Sequence, residues 1–211
     1  MLKLQGIAVS SGVTIGEALV LDSEGFRIPR RFVARSAVDT ELQRLSNAIA
    51  ETTAEIKKNR DAVRGELGEQ YAAIFDAHLA MLHDQRLQEE LTNAVRERNW
   101  WPEYAVSRTL RRYAKVFQKL DNHIAQRAHD IYDIEKSLLR NLLGQRRETL
   151  ASISEPVVIL AHNLTPSETA NLDRRFVKGF ATELGGPGSH TAIVAEGLEI
   201  PAVVGIGPFL A

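Results

Sequence analysis

The chain has 211 residues, 44% hydrophobic and 25% charged, a composition that suits one large globular domain or two small ones and argues against disorder. Its 26 Lys and Arg nearly balance 27 Asp and Glu, for a net charge of -1, so no general attraction to nucleic acid or an anionic membrane is expected. With no cysteine, disulfides, thiolate metal sites and cysteine nucleophiles are excluded.

The opening MLKLQGIAVSS lacks the sustained apolar stretch of a signal peptide, and no later run approaches the roughly 20 residues that span a bilayer. A soluble, cytoplasmic protein is expected. Residues 6–21, GIAVSSGVTIGEALVL, combine Gly, Val and Ile with turn signals at Ser10, Ser11, Gly12 and Gly16, which favours short strands. From Ser36 to Leu143 the pattern turns helical. Leu42, Leu45, Ile49 and Ile56 fall at helix spacing, with Ser36 or Asp39 as a cap. A second run begins near Glu69 and carries Ile74, Phe75, His78, Leu79, Met81 and Leu82 on towards Leu87, Leu91 and Val95. A third starts after Trp101, with Pro102 in the first turn, where its missing N–H costs nothing. The fourth carries Ile124, Ile131, Ile134, Leu138, Leu142 and Leu143, and Gly144 suits a C-terminal cap. Four amphipathic helices with short joins predict a helical bundle.

Beyond Gly144 the texture returns to α/β. The apolar run Val157–Leu160 precedes a Pro/Ser/Thr turn, then come Phe176, Val177 and Phe180, and IPAVVGIG reads as a last buried strand. Strand material at both ends predicts an α/β domain over 1–33 and 146–211, interrupted by a helical insertion over 34–145. The closing GIGPFLA shows no natural stop, so a piece of a longer protein is expected.

The segment with the clearest chemistry is residues 185–205, GGPGSHTAIVAEGLEIPAVVG. Gly185 and Gly186 permit close backbone approach to a ligand. Ser189 and Thr191 then flank His190 where a helix, TAIVAEGL, is expected to begin. A helix N-terminus offers free N–H groups and partial positive charge, which suit a bound phosphate and oppose imidazole protonation. Neutral imidazole with one nitrogen hydrogen-bonded keeps the other for attack. The remaining histidines, His78, His83, His123, His129 and His162, lack this setting and show no metal-ligand spacing.

This segment resembles the phosphohistidine signature of Enzyme I, the phosphoenolpyruvate-protein phosphotransferases of the bacterial sugar phosphotransferase system. NLTPSETANLD (163–173), FDAHLAMLHDQRLQEEL (75–91) and QRAHDIYDIEKSLLRNLLG (126–144) are similar to the family's turn before the active site, its carrier-binding helices and its last bundle helix. The resemblance implies an α/β phosphohistidine (swivelling) domain with an inserted four-helix bundle. It implies that His190 takes a phosphoryl group on Nε2 and that Thr169 hydrogen-bonds the same imidazole. It also implies an HPr-type phosphocarrier docking on helices that carry Glu69, His78, Met81, Leu82, Arg127 and Asp130. Phosphoenolpyruvate and Mg²⁺ would belong to a C-terminal (β/α)₈ barrel beyond Ala211, which would also make the full-length homodimer; no cofactor or metal is implied for this chain, and neither nucleic acid nor membrane as a partner.

Six positions depart from the family pattern. Pro187 and Gly188 stand where arginine and threonine are usual, and Glu196 where a second arginine is usual. Gln70, Gln85 and Arg86 stand where the family tends to be acidic. The nearest alternative is the phosphohistidine domain of a phosphoenolpyruvate synthase or pyruvate phosphate dikinase, which usually has Cys before the histidine, where this chain has Ser189. A non-catalytic regulatory binding module is the reading from another class.

Overall fold

The computed structural model describes residues 3–21, 28–120, 127–144 and 153–209. The chain divides into two compact units, one of Met1–Glu24, Ala62–Ala72 and Glu148–Ala211, the other of Gly25–Asp61 and Ala73–Arg147.

The first unit is built on a five-stranded sheet. Its strands are β1 (Ile7–Ser10), β2 (Glu17–Leu21), β3 (Val157–Ala161), β4 (Val177–Thr182) and β5 (Ala202–Val204), in the order β1-β5-β4-β3-β2. Only the β1–β5 pair is antiparallel; β2–β3, β3–β4 and β4–β5 are parallel. The unbroken apolar sequence VVILA suits a central parallel strand, and Ile159 and Ala161 within it are fully buried. Parallel neighbours need crossovers, and the two that follow β3 are the short helix α6 (Pro166–Thr169) and α7 (His190–Gly197). Val194, Ala195 and Leu198 press on Ile159, Phe180 and Val204, so α7 closes this core from one face of the sheet.

The helices before β3 are α1 (Val38–Leu67, after a 3₁₀ turn at Arg35–Ala37), α2 (Glu69–Leu82), α3 (Gln85–Arg96), α4 (Pro102–Phe117) and α5 (Ala128–Leu142). Among the described residues five helices therefore stand where the periodicity predicted four. The run from Glu69 to Val95 is broken at Asp84, whose side chain accepts the Leu87 N–H at 2.8 Å and so starts a new helix. Ser36 lies in the 3₁₀ turn, and Asp39 and Glu41 supply acid to the first turn of α1. Pro102 opens α4, and Gly144, at φ +63°, stands just past the end of α5. Ile124 and His123 lie outside the described residues. Within the second unit α4 packs along α3 and α5, over a core that includes Phe75, Leu91, Val95, Val106, Ile134 and Leu138. None of the helices among the described residues is long and apolar enough to cross a membrane.

Candidate active site

Two loops at the carboxyl ends of β3 and β4 meet at His190. The first follows β3 and closes into α6. Thr165 caps that helix: its hydroxyl accepts the Glu168 N–H at 3.2 Å, and Glu168 Oε2 accepts the Thr165 N–H at 2.9 Å. Pro166 follows at the first helical position. Thr169 is fully buried, and its hydroxyl donates to the Thr165 carbonyl at 2.8 Å. That leaves the hydroxyl oxygen as an acceptor. α6 packs directly against α7.

The second loop, 183–189, leaves β4 with the ladder still running. Glu183 N–H donates to the Ala161 carbonyl at 3.1 Å and Leu184 N–H to the His162 carbonyl at 3.0 Å, while Thr182 Oγ1 donates to the Leu184 carbonyl at 2.6 Å. Gly185 then turns the chain with φ +118°, against Val204 so closely that a Cβ there would lie 3.1 Å from the valine Cβ. Gly186–Ser189 form a turn closed by the Ser189 N–H on the Gly186 carbonyl at 3.0 Å, with Pro187 and Gly188 at its two corners. Proline suits the first corner because its φ is already fixed near the required value. Pro187 and Gly188 thus fix a backbone turn just before the Ser189 cap.

Ser189 is the cap of α7, its hydroxyl accepting the Ala192 N–H at 3.2 Å, and His190 is the helix's first residue, one position earlier than the sequence predicted. Thr191, buried, donates its hydroxyl to the Leu164 carbonyl at 2.8 Å and so ties the helix start to the loop after β3. The half-buried imidazole therefore sits at the positive end of an eight-residue helix, among backbone N–H groups that have no carbonyl within the helix to meet. This arrangement can hold an anionic group beside a ring nitrogen.

Glu196 does not share the face of His190. Six residues on, it is turned by about 120° and displaced by about 9 Å along the helix. With Ala8, Ser10, Ser11 and Glu199 it lines a cavity of about 290 Å³ against β1. Its negative charge is therefore directed away from the first turn.

The carrier-docking candidates divide into surface and interior. Glu69 is exposed and receives Arg64 at 2.6 Å within the first unit. In the second unit Arg127 is exposed and Met81 half-buried. His78, Leu82 and Asp130 are interior residues, at 1%, 1% and 0% exposure, so the surface expected of them is corrected to core. His78 Nε2 stands 3.3 Å from Asp130 Oδ1 and its Nδ1 3.6 Å from Asp133 Oδ2, with the Phe75 ring against it edge-on. Packing of three polar side chains against one another removes them from the surface.

One pair had no signal in the sequence. His162 Nδ1 meets Glu183 Oε2 at 2.5 Å, and Glu183 Oε1 accepts the Phe209 N–H at 2.6 Å. His162 continues the alternation of β3 on the face opposite Ile159 and Ala161, hence away from α7. Among the described residues no group of three or more His, Cys, Asp or Glu side chains gathers to hold a metal ion.

Residues 5–127 match the family model for the N-terminal part of PEP-utilising enzymes, and residues 153–210 match that for their mobile domain. The chain is 40% identical over 96% of its length to the phosphoenolpyruvate-protein phosphotransferase of Priestia megaterium, and 42% identical over 96% to that of Geobacillus stearothermophilus. It spans 35% of the length of each of these relatives. A solution NMR structure of an Enzyme I protein superposes with TM-score 0.77 at 37% identity, covering 97% of this chain and 83% of that one. An N-terminal domain of a nitrogen-type Enzyme 1 shares the fold, with TM-score 0.67 at 24% identity over 96% of this chain and 83% of that one.

Proposed function

Given that the chain belongs to the PEP-utilising enzymes, whose N-terminal model covers residues 5–127, we propose that it is the phosphohistidine-bearing part of an Enzyme I-type phosphotransferase. His190 is the phosphoryl acceptor, and the observation that carries the reading is its place as the first residue of α7, behind the Ser189 cap and the 183–189 loop. In the first half-reaction Nε2 attacks the phosphorus of phosphoenolpyruvate; the bond to the enol oxygen breaks, a P–N bond forms and enolpyruvate leaves. In the second the P–N bond breaks as the imidazole of an HPr-type carrier takes the phosphoryl group. Such transfer leans on positioning and charge stabilisation, which the N–H groups of the first helical turn supply. Thr169 is assigned as an acceptor for the imidazole's other nitrogen, fixing the tautomer; its burial and its helix's packing on α7 support this. Gly185, Gly186, Ser189 and Thr191 shape the phosphate loop.

We assign residues 1–33 and 146–211 to an α/β swivelling domain and 34–145 to an inserted helical carrier dock. The division into two compact units supports an interrupted arrangement, although residues Ala62–Ala72 cluster with the sheet. Docking is assigned to the exposed candidates Glu69 and Arg127 and to the half-buried Met81. Phosphoenolpyruvate, Mg²⁺ and the homodimer contacts are assigned to the part of the relatives' length that this chain does not span, and the whole enzyme to the cytoplasm.

The test is incubation of the chain with a phosphorylated HPr-type carrier. An acid-labile, base-stable label that disappears in His190→Ala supports the reading; a label that survives the substitution overturns the assignment of His190.

A further inference from the structure

β4 lies between β3 and β5, so the loop that carries His190 leaves the sheet with a neighbour on either side. Glu183 is the first residue of that loop. On one side its N–H donates to the Ala161 carbonyl at 3.1 Å, and on the other its carbonyl accepts the Gly207 N–H at 3.3 Å. Its side chain repeats the pattern: Oε2 meets His162 Nδ1 at 2.5 Å, and Oε1 accepts the Phe209 N–H at 2.6 Å. Glu183 thus joins the exit of β3 to the stretch after β5 through both its backbone and its carboxylate.

The carboxylate is inside and the imidazole is not, with side-chain exposure of 8% for Glu183 and 51% for His162. A carboxylate taken from water has to be met by donors. With Glu183 ionised both oxygens only accept, so Nδ1 of His162 carries the shared proton. His162 faces away from α7 and does not reach a phosphoryl group on His190; an effect on His190 has to pass through Glu183.

Beyond Glu183 the loop has little slack. Leu184 N–H donates to the His162 carbonyl at 3.0 Å, the Leu184 carbonyl accepts Thr182 Oγ1 at 2.6 Å, and Gly185 lies against Val204. At the far end Ser189 caps α7 and Thr191 is tied to the Leu164 carbonyl. Between these two sets of ties stands the Gly186–Ser189 turn, closed on itself at 3.0 Å. A displacement at Glu183 is therefore passed through a closed turn to the first residue of α7.

We propose that Glu183 is a positioning residue for His190, with His162 as the donor that holds its carboxylate in place. This rests on the transferase reading above. Phosphoryl transfer depends on in-line placement of the nucleophile, and a misplacement of about 1 Å costs up to about 100-fold in rate.

The test compares labelling of the 211-residue chain by a phosphorylated HPr-type carrier in wild type, Glu183→Ala, Glu183→Gln, His162→Ala and His162→Asn. Asparagine puts its amide nitrogen where His162 carries Nδ1 and so keeps the donor. Glutamine keeps an acceptor for the Phe209 N–H and removes the charge. Labelling at saturating carrier should slow on the order of 10-fold in Glu183→Ala, by less in Glu183→Gln and His162→Ala, and return to the wild-type rate in His162→Asn. The carrier concentration for half-maximal rate should not change. Nitrogen NMR shifts of the His190 ring, read in the same samples, should move in both alanine variants and stay in place in His162→Asn.

Wild-type rates in both alanine variants, or a His162→Asn variant as slow as His162→Ala, overturn the proposal. So does slowed labelling with the His190 ring signals unmoved, which makes the pair a structural tie only. Should Glu183→Ala fail to fold, Glu183→Gln and the two His162 variants carry the same comparison. Label on His190 that is indifferent to Glu183 and His162 leaves the transferase reading standing and removes only this one, whereas no label on the wild type removes both.

Discussion

Thr191 donates its buried hydroxyl to the carbonyl of Leu164 at 2.8 Å, so the residue after His190 is fastened to the loop that leads from β3 to α6. Thr191→Val keeps the shape and removes the donor, leaving that carbonyl without this partner. A loss of about 1–3 kcal/mol in urea unfolding is expected. Labelling of His190 should slow as well, because the first turn of α7 loses its tie to the α6 loop; a variant that loses stability but labels at the wild-type rate would show that the tie is structural only.

Gly185 and Gly186 are neighbours in sequence with different tolerances. Gly185 adopts φ +118° and faces Val204, where a Cβ would be 3.1 Å from the valine Cβ. Gly186 has nothing within 4 Å of a Cβ added to it. Gly185→Ala should therefore cost on the order of 1–3 kcal/mol from backbone strain, and Gly186→Ala close to nothing. Thermal unfolding of the two variants side by side checks this.

The sheet was legible because each strand is a short apolar run bounded by glycine, proline or polar turns, and α7 because capping residue and helix stand together in SHTAIVAEG. The break between α2 and α3 is hidden because the apolar spacing runs through it, and only the Asp84 cap marks it. Long-range polar pairing is hidden for a different reason. His78 with Asp130, and His162 with Glu183, join elements far apart in the chain, and a single sequence holds no record of which polar groups come together. Polar residues on a helical pattern read as surface, yet His78 and Asp130 sit inside.

The interior position of His78 separates two roles by magnitude. Among Asp130, Asp133 and the Phe75 ring, its replacement by alanine removes a buried polar neighbour of the two carboxyl groups, and a loss of about 1–3 kcal/mol is expected. A residue that served only as a docking contact on the surface would change stability by no more than about 0.5 kcal/mol. Urea unfolding of His78→Ala and of Met81→Ala, whose side chain is only half-buried, makes the comparison; a His78 value as small as a surface substitution would return it to the docking face.

Glu135 makes the stability of the helical unit depend on pH. Burial pushes its carboxyl above the ordinary carboxylate range, against the Ser107 hydroxyl, which donates to it at 2.8 Å, and the Arg111 guanidinium, which donates at 2.7 Å. A carboxyl with a higher pKa folded than unfolded binds its proton more tightly in the folded state. Its contribution is therefore fully present below the unfolded pKa and is lost as pH rises through the folded one. Stability should fall with rising pH across the interval that starts at the ordinary carboxylate value and ends above it. Glu135→Gln keeps an acceptor for Ser107 but cannot titrate, so urea midpoints collected across that interval should lose this component of the slope. A slope identical to wild type would mean that burial does not hold the Glu135 proton, and that Arg111 and Ser107 compensate the carboxylate in full.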